Sequence, residues 1–352
     1  MTIQDVLKQN MLHFLPAKTL CRFKSVCKDW NQWINSPFSV LLQSCYFRDK
    51  SGVFCQIPYE TPLFVSLDPS ACGVPRPDLK FFPEAITIRA ACNGLLLCTS
   101  TLDVADPNYY ICNPANKDKQ WKQLPKPQQQ HEQVSAVALA FDPSLHNLTP
   151  CFKIVRAIPS TDRPVLYFEI YSSQLNYWRV VEFQCCYSGA LILKGDGFFL
   201  NGTVFWETHV STLLAFDMKN EQYSMLLLPP SNRFQGVLTA MHGKLCYMRP
   251  QRGDTGEEEL AMEVYGDLKM TLKHKIPLNL ELLPLTGVEE LRALPCVNDD
   301  TLMLLVGTKL CVYHIKEEWI EVIFGDIYQD EDVKILPYVN SLVSVDEMIR
   351  GE

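Results

Sequence analysis

A mainly β protein, with a small helical head in front of a ring of repeated sheets, is the fold class the sequence predicts. Three observations carry that expectation. Helical spacing is confined to residues 3–47, short strand-like runs fill most of the remainder, and those runs recur at intervals of 45 to 57 residues.

In the head, Leu7, Met11, Phe14 and Leu15 recur at i, i+4, i+7 and i+8, which predicts one face of a helix ending near Pro16. Pro16 suits the first turn of a second helix, where its missing N–H costs nothing. Leu20, Phe23 and Cys27 form that helix's apolar stripe, and Trp30, Trp33 and Ile34 continue it until Ser36-Pro37 breaks it. About three short helices result. Fewer than 50 residues bury too little surface to be comfortable alone, so a partner or the rest of the chain is expected to cover this unit.

From about residue 50 the period becomes that of strands. Runs rich in Val, Leu, Ile, Phe and Tyr follow Asn93-Gly94, Asn201-Gly202, His242-Gly243 and Asp299-Asp300. Each unit has a turn, a strongly apolar strand, a second strand and an aromatic or apolar anchor opening a third. The anchors are Trp121, Trp178, Tyr223, Leu272 and Trp319, at spacings of 57, 45, 49 and 47 residues. That interval fits one four-stranded blade of a β-propeller, with the anchors filling the gaps between blades. Five units cover about 86–330. Strands at 52–57 and 63–67 are left over at one end and 335–345 at the other; joining them into a composite blade closes the ring and removes free sheet edges. About six blades are expected, with five or seven as alternatives, in a domain of residues 48–352 behind a helical domain of residues 1–47. A curved β-sandwich, which uses strands of similar length, is the alternative.

Net charge is −8, unevenly spread. Residues 1–50 carry seven Lys or Arg against three Asp, so the remaining 302 residues hold 25 bases against 37 acids. A basic head on an acidic body suggests two modules that meet different partners, with a basic patch favoured on whatever meets the body. The acidic body also argues against nucleic acid, which needs clustered Lys and Arg. None of the fourteen cysteines forms a C-x-x-C pair, so reduced thiols in a cytoplasmic or nuclear protein are expected rather than a zinc site. No apolar stretch approaches 18 residues, so no membrane span is expected. Acids such as Asp142, Asp217 and Asp267 sit beside turns, the seven histidines show no tight pairing, and no nucleophile elbow or phosphate loop occurs. A protein without a catalytic site, cofactor or metal is the expectation.

The run Leu15-Pro16-Ala17-Lys18-Thr19-Leu20-Cys21-Arg22-Phe23-Lys24-Ser25-Val26-Cys27-Lys28-Asp29-Trp30, followed by Ile34 and Ser36-Pro37, resembles the F-box motif. Its opening departs from the family pattern: Thr2-Ile3 stand where Leu-Pro is usual, and one extra residue separates Asp5 from Leu15-Pro16. The body is similar to the F-box-associated domain of plant-type F-box proteins, which are kelch-like. The similarity lies in Ala91-Cys92-Asn93-Gly94-Leu95-Leu96-Leu97-Cys98, Tyr110-Ile111-Cys112-Asn113-Pro114-Ala115, Trp121-Lys122-Gln123-Leu124-Pro125, Ala140-Phe141-Asp142-Pro143 and Glu169-Ile170-Tyr171-Ser172-Ser173 with Trp178-Arg179.

The resemblance implies a substrate receptor of a Skp–cullin–F-box ubiquitin ligase. The F-box would bind a Skp-family adaptor, and through it the cullin–RING ligase, while the body holds an unidentified protein substrate. Leu15, Pro16, Leu20, Val26, Cys27, Trp30 and Ile34 are the implied adaptor-binding residues. An F-box-like interaction scaffold that no longer joins the ligase is the alternative. The loops 68–83, 126–134, 157–165 and 250–260 are candidates for partner contact.

Overall fold

The computed structural model describes residues 11–47, 50–57, 60–68, 73–101, 106–116, 121–128, 135–144, 150–160, 163–182, 185–186, 191–230, 234–252, 260–279, 291–325, 327 and 333–349. Three helices form the head: α1 (Ala17–Phe23), α2 (Lys28–Ile34) and α3 (Pro37–Tyr46). Pro16 stands at the N-cap of α1, in extended geometry with ψ 147°. Ser36-Pro37 both ends α2 and opens α3. The Ser36 hydroxyl accepts the Ser39 N–H at 3.3 Å, and Pro37 is the first helical residue.

The segment before Pro16 corrects one expectation. Leu7 lies outside the described residues, and Leu12–Phe14 form a 3-10 turn instead of continuing an α-helix. Three residues per turn rotate the buried face, so Leu12 and His13 are buried while Met11 and Phe14 are exposed.

The body is a six-bladed propeller. Blade 1 joins β1 (Gly52–Gln56) and β2 (Leu63–Ser66) to the last strand of the chain. Blade 2 is β3 (Ile86–Cys92), β4 (Leu95–Ser100), β5 (Tyr109–Cys112) and β6 (Trp121–Gln123). Blade 3 is β7 (Ala136–Ala140), β8 (Lys153–Pro159), β9 (Val165–Ser172) and β10 (Tyr177–Val180), with β11 (Cys185–Cys186) also on β9. Blade 4 is β12 (Phe198–Leu200), β13 (Thr203–Glu207), β14 (Thr212–Asp217) and β15 (Gln222–Leu227). Blade 5 is β16 (Val237–Met241), β17 (Lys244–Arg252), β18 (Leu260–Gly266) and β19 (Thr271–Pro277). Blade 6 is β20 (Leu291–Leu294), β21 (Thr301–Val306), β22 (Lys309–His314) and β23 (Trp319–Phe324). Finally β24 (Lys334–Tyr338) returns to pair antiparallel with β1, from Gly52 opposite Tyr338 to Gln56 opposite Lys334. The chain ends therefore close the ring.

Each seam between neighbouring blades is a separate apolar core, and each middle strand feeds two of them. In β4, Leu95 and Leu97 point towards blade 3, while Leu96 and Cys98 point towards blade 1. In β21, Leu302, Leu304 and Val306 pack towards blade 5, and Met303 and Leu305 towards blade 1. A strand buried on both faces needs apolar residues at both parities, which is why these runs read as continuous rather than alternating.

The anchor residues behave less uniformly than expected. Trp178 is buried between blades 2 and 3, and Trp121 packs into the seam between blades 1 and 2. Tyr223, Leu272 and Trp319 are instead 36%, 50% and 40% exposed. They lie at the start of the outermost strands of blades 4 to 6, which are largely exposed and, among the described residues, have no strand outside them. Lys273 and Lys275 on β19 give that edge the charge that discourages pairing with another chain.

The six innermost strands start on one face of the ring, the upper face, and end on the other. At the lower ends, Asn93 Nδ2 donates to Phe141 O at 2.7 Å and Asn201 Nδ2 to Gly243 O at 2.9 Å. At the upper ends, Gly197 N donates to Val137 O at 2.7 Å.

The head sits on the lower face, held by the segment after β24. Gln43 of α3 is buried; its Nε2 donates to Asn340 O at 3.3 Å and its Oε1 accepts Leu342 N at 3.3 Å. Leu342 packs into the head's core, Val40 packs into the seam between blades 2 and 3, and α4 (Val345–Met348) caps that seam. Asn113 secures the same segment. Its Nδ2 donates to Ser341 O at 2.9 Å and Val343 O at 2.8 Å, while its Oδ1 accepts from Tyr338 Oη at 3.0 Å. Asn113→Ala is expected to leave these buried groups unpaired and to cost about 3 kcal/mol of stability, read as a lowered midpoint in urea unfolding; an unchanged midpoint would contradict the assigned role.

Candidate partner-binding faces

Two surfaces can take a partner, one on the head and one on the upper face of the ring. The head has a small core of Leu12, Leu20 and Ile34, flanked by Leu15, Phe23, Trp30, Trp33 and Leu342. Phe23 and Trp30 meet edge-on with ring centroids 5.5 Å apart. Around this core the surface is unusually apolar: Val26 is 60% exposed, Phe38 57%, and Met11, Phe14 and Tyr46 are exposed too. Aromatic and aliphatic side chains left open to water mark an interaction surface.

The seven residues implied for adaptor binding fall into three environments. Val26 and Cys27 are exposed, at the break between α1 and α2, where Val26 N donates to Phe23 O at 3.0 Å. Leu15, Pro16 and Trp30 are half-buried. Leu20 and Ile34 are buried, at 2% and 1% exposure, and belong to the head's own core. Helical spacing identifies an apolar stripe but not which of its members turn inward. Phe38, on the exposed side of α3, lies beyond the part of the motif that carried the sequence reading.

On the upper face a cavity of about 1330 Å³ opens at the axis. Its floor is an ionic cluster built from four blades. In β3 the register with β4 slips between Ile88 and Ala90, so Arg89 is the extra residue of a β-bulge. A bulge re-aims the side chain it carries. Gln56 of β1 accepts the Ile88 N–H beside it, Oε1 at 3.3 Å. Arg89 grips Asp196 with two bonds, Nε to Oδ2 at 2.8 Å and Nη2 to Oδ1 at 2.6 Å, and Nη2 also donates to Ser135 O at 2.9 Å. Lys334, the first residue of β24, donates to Asp196 Oδ2 at 2.8 Å.

The sequence Gly195-Asp196-Gly197 suits this position. Gly195 has φ +146°, and a Cβ on Gly197 would stand 2.7 Å from Trp206 Nε1 and 2.8 Å from Ala138 Cβ. Burial opposes ionisation of Asp196, but Arg89 and then Lys334, by charge and by hydrogen bonds, hold its carboxyl below the ordinary carboxylate range. The sequence reading missed this cluster, because its members are 107 and 138 residues from one another along the chain. The only local signal was the Gly-Asp-Gly triplet.

Above the floor the cavity is lined by Phe82, Pro83, Pro159 and Leu191–Leu193, with Glu60, Asp78, Lys80 and Glu84 on the segments of blades 1 and 2. Ala157 and Pro159 come from the end of β8, which continues through Pro159 into the stretch 157–165 that the sequence suggested as a loop. Residues 129–134 and 253–259, from two other loops singled out in the sequence, lie outside the described residues.

Other charged pairs look structural. Arg156 on β8 faces Glu169 on β9 at 2.6 Å, beneath Tyr109 and Trp178, and both are buried. Arg249 on β17 faces Glu263 on β18 at 2.9 Å in the same way, with the Tyr265 hydroxyl beside it. Among the described residues no group of three or more His, Cys, Asp or Glu is placed to hold a metal ion. Burial pushes the Cys55 and Cys296 thiols up to about 12, whereas Cys21 and Cys27 on the head are exposed.

Comparison with known proteins gives matches to both parts of the chain. Residues 6–40 match the F-box domain, and residues 73–265 match the family described as F-box associated beta propeller domain. An F-box protein of Arabidopsis thaliana is 30% identical over 316 residues, covering 81% of this chain and 71% of the relative. A putative F-box/kelch-repeat protein of the same plant is 27% identical over 323 residues, covering 84% of this chain and 83% of the relative.

The cluster makes stability depend on pH in a defined direction. A carboxyl whose folded pKa is depressed contributes stability above its unfolded value, near 3.9, and loses it as pH falls through the folded value. Asp196→Asn is therefore expected to cost about 3 kcal/mol at pH 7. The gap to the unsubstituted protein should narrow below about pH 4, measured by urea unfolding at pH 7 and pH 3.

Proposed function

The chain belongs to the F-box proteins that carry an F-box-associated β-propeller domain, and from that premise we propose that it serves as the substrate-receptor subunit of a Skp–cullin–F-box ubiquitin ligase. The head takes the Skp-type adaptor, and the upper face of the ring takes the protein to be ubiquitinated. The observation that supports this most is the placement of the two surfaces. The apolar head is fixed to the lower face, and the open cavity lies on the upper face, so both partners can be held at once. A receptor that grips its substrate on one side and the ligase on the other raises the local concentration of substrate lysines near the activated ubiquitin. It needs no reactive group of its own. The cytoplasm or nucleus is the compartment this role implies.

Within the head, Val26 and Cys27 are the direct contacts in this reading, together with the exposed parts of Leu15, Pro16 and Trp30. Leu20 and Ile34 act by holding the helices that present them. Interface energy concentrates in a few such apolar anchors.

The two roles separate in a binding experiment with purified Skp-type adaptor. Val26→Glu is expected to weaken binding tenfold or more with the melting temperature unchanged. Leu20→Ala is expected to lose binding through the head itself, with about 2–4 kcal/mol of destabilisation and reduced helical circular dichroism. Adaptor binding by neither the unsubstituted protein nor its complex with a substrate would overturn the receptor role and favour the interaction scaffold.

A further inference from the structure

The ionic cluster at the cavity floor does not balance its own charge. Arg89 and Lys334 bring two cations and Asp196 one carboxylate, and among the described residues no other acid is bonded to them. Both cations keep unused donors. Arg89 spends Nε and Nη2 on Asp196 and Ser135, and among the described residues its Nη1 makes no bond. Arg89 lines the cavity, and its side chain is 11% exposed there. Lys334 spends one N–H on Asp196, and its side chain is 38% exposed. The acids elsewhere in the lining are engaged or stand at the rim. Asp78 is paired with Lys80 at 3.5 Å, and Glu84 accepts from Asn108 Nδ2 at 2.8 Å and from the Tyr110 hydroxyl.

Two further features indicate a built site. A β-bulge in the innermost strand turns Arg89 to the axis, and a glycine on each side brings the Asp196 backbone close. Asp196 in turn fixes the guanidinium plane so that Nη1 is pre-oriented. A pre-oriented cation binds without the entropy loss of ordering a long side chain. The volume distinguishes the occupants. Small-molecule sites span about 300–1,000 Å³, and this cavity is larger at about 1330 Å³, with apolar walls of Phe82, Pro83, Pro159 and Leu191 above the charged floor.

We infer that the cavity receives an extended peptide segment of the partner protein and seats an anionic group of that segment, a carboxylate or a phosphate, on Arg89 Nη1 and the Lys334 ammonium. This rests on the receptor reading for its biological context and deepens it by naming the chemistry of the substrate. The bonded cluster at the floor carries one net positive charge, opposite in sign to the net charge of the body, which favoured a basic partner patch. An acidic or phosphorylated residue flanked by apolar ones matches both the floor and the walls.

The test uses the full-length chain and immobilised nine-residue peptides, randomised except for a central Glu, phosphoserine, Gln or Lys. Binding is expected to favour central Glu or phosphoserine over Gln by about tenfold and to weaken with salt. Glu and phosphoserine bound alike identify the carboxylate source as sufficient; phosphoserine alone identifies phosphate. Either supports the inference. Lys334→Met should abolish the preference, Lys334→Arg should keep it, and Lys334→Glu should shift it towards central Lys. Thermal melting of each variant confirms that the ring is closed. Equal binding of Glu, phosphoserine and Gln peptides overturns the inference, as does a preference that survives Lys334→Met undiminished. Adaptor binding measured on the same samples separates the two readings: its failure with the peptide preference intact removes the ligase role and leaves the site.

Discussion

Pairing of β24 with β1 brings residues 334–338 against residues 52–56, and the other features of the molecule depend on that closure. Bringing together ends nearly 300 residues apart costs about 5 kcal/mol of loop entropy, because the cost grows only with the logarithm of length. Closure completes two seams at once. Val53, Cys55 and Ile335 enter the core between blades 6 and 1, and Phe54 and Tyr338 the core between blades 1 and 2. At about 1.5–3 kcal/mol per buried apolar side chain, five such residues exceed the entropy opposing them. The same pairing sets Lys334 at the axis and sends residues 339–349 across the lower face, where they meet the head.

The architecture was legible in the sequence, because its driving force is periodic. Strands packed on both sides must be apolar at every position, and Leu95-Leu96-Leu97-Cys98 and Thr301-Leu302-Met303-Leu304-Leu305-Val306 announce that directly. The Asn-Gly and His-Gly turns were equally readable: Asn93, Asn201 and His242 adopt positive φ, each before a glycine that does the same. The innermost strands were harder to see. Val237-Leu238-Thr239-Ala240-Met241 is short and half-buried, so its hydrophobic signal is weak. The exposed outer anchors misled for the opposite reason. Tyr223 and Trp319 recur at the right interval, but in those blades the outer strand has little beside it to fill.

The candidate sites were legible only in part. The F-box residues appear as a local motif, yet the motif mixes two physical roles. Leu20 and Ile34 keep the helices together, while Val26 and Cys27 reach the surface, and Leu342 completes the core from the far end of the chain. The cavity floor had no local signature. Arg89, Asp196 and Lys334 meet only because three blades converge on an axis, and the bulge that turns Arg89 depends on a one-residue slip between β3 and β4. Net charge pointed the other way, since it averages over loops and edges that the axis does not feel.

The attachment of the head bears on how such a receptor could work. Domains joined by a linker move relative to one another by default, unless their interface is large and apolar. Here the head shares its core with Leu342, hydrogen-bonds to the tail through both ends of the Gln43 amide, and inserts Val40 into a seam of the ring. The tail in turn is fastened by Asn113, at the end of β5 in blade 2, and by Tyr338, on β24 of the closing blade. A rigid path of buried contacts therefore runs from the helices of the head to the strand that carries Lys334. Innermost strands of about five residues span about 17 Å, so the two faces are held a fixed distance and angle apart. In the proposed role, that rigidity decides which lysines of a bound protein come within reach of ubiquitin. The selectivity of the receptor would then reside in the cavity that grips the partner and in the orientation the closed ring imposes on it.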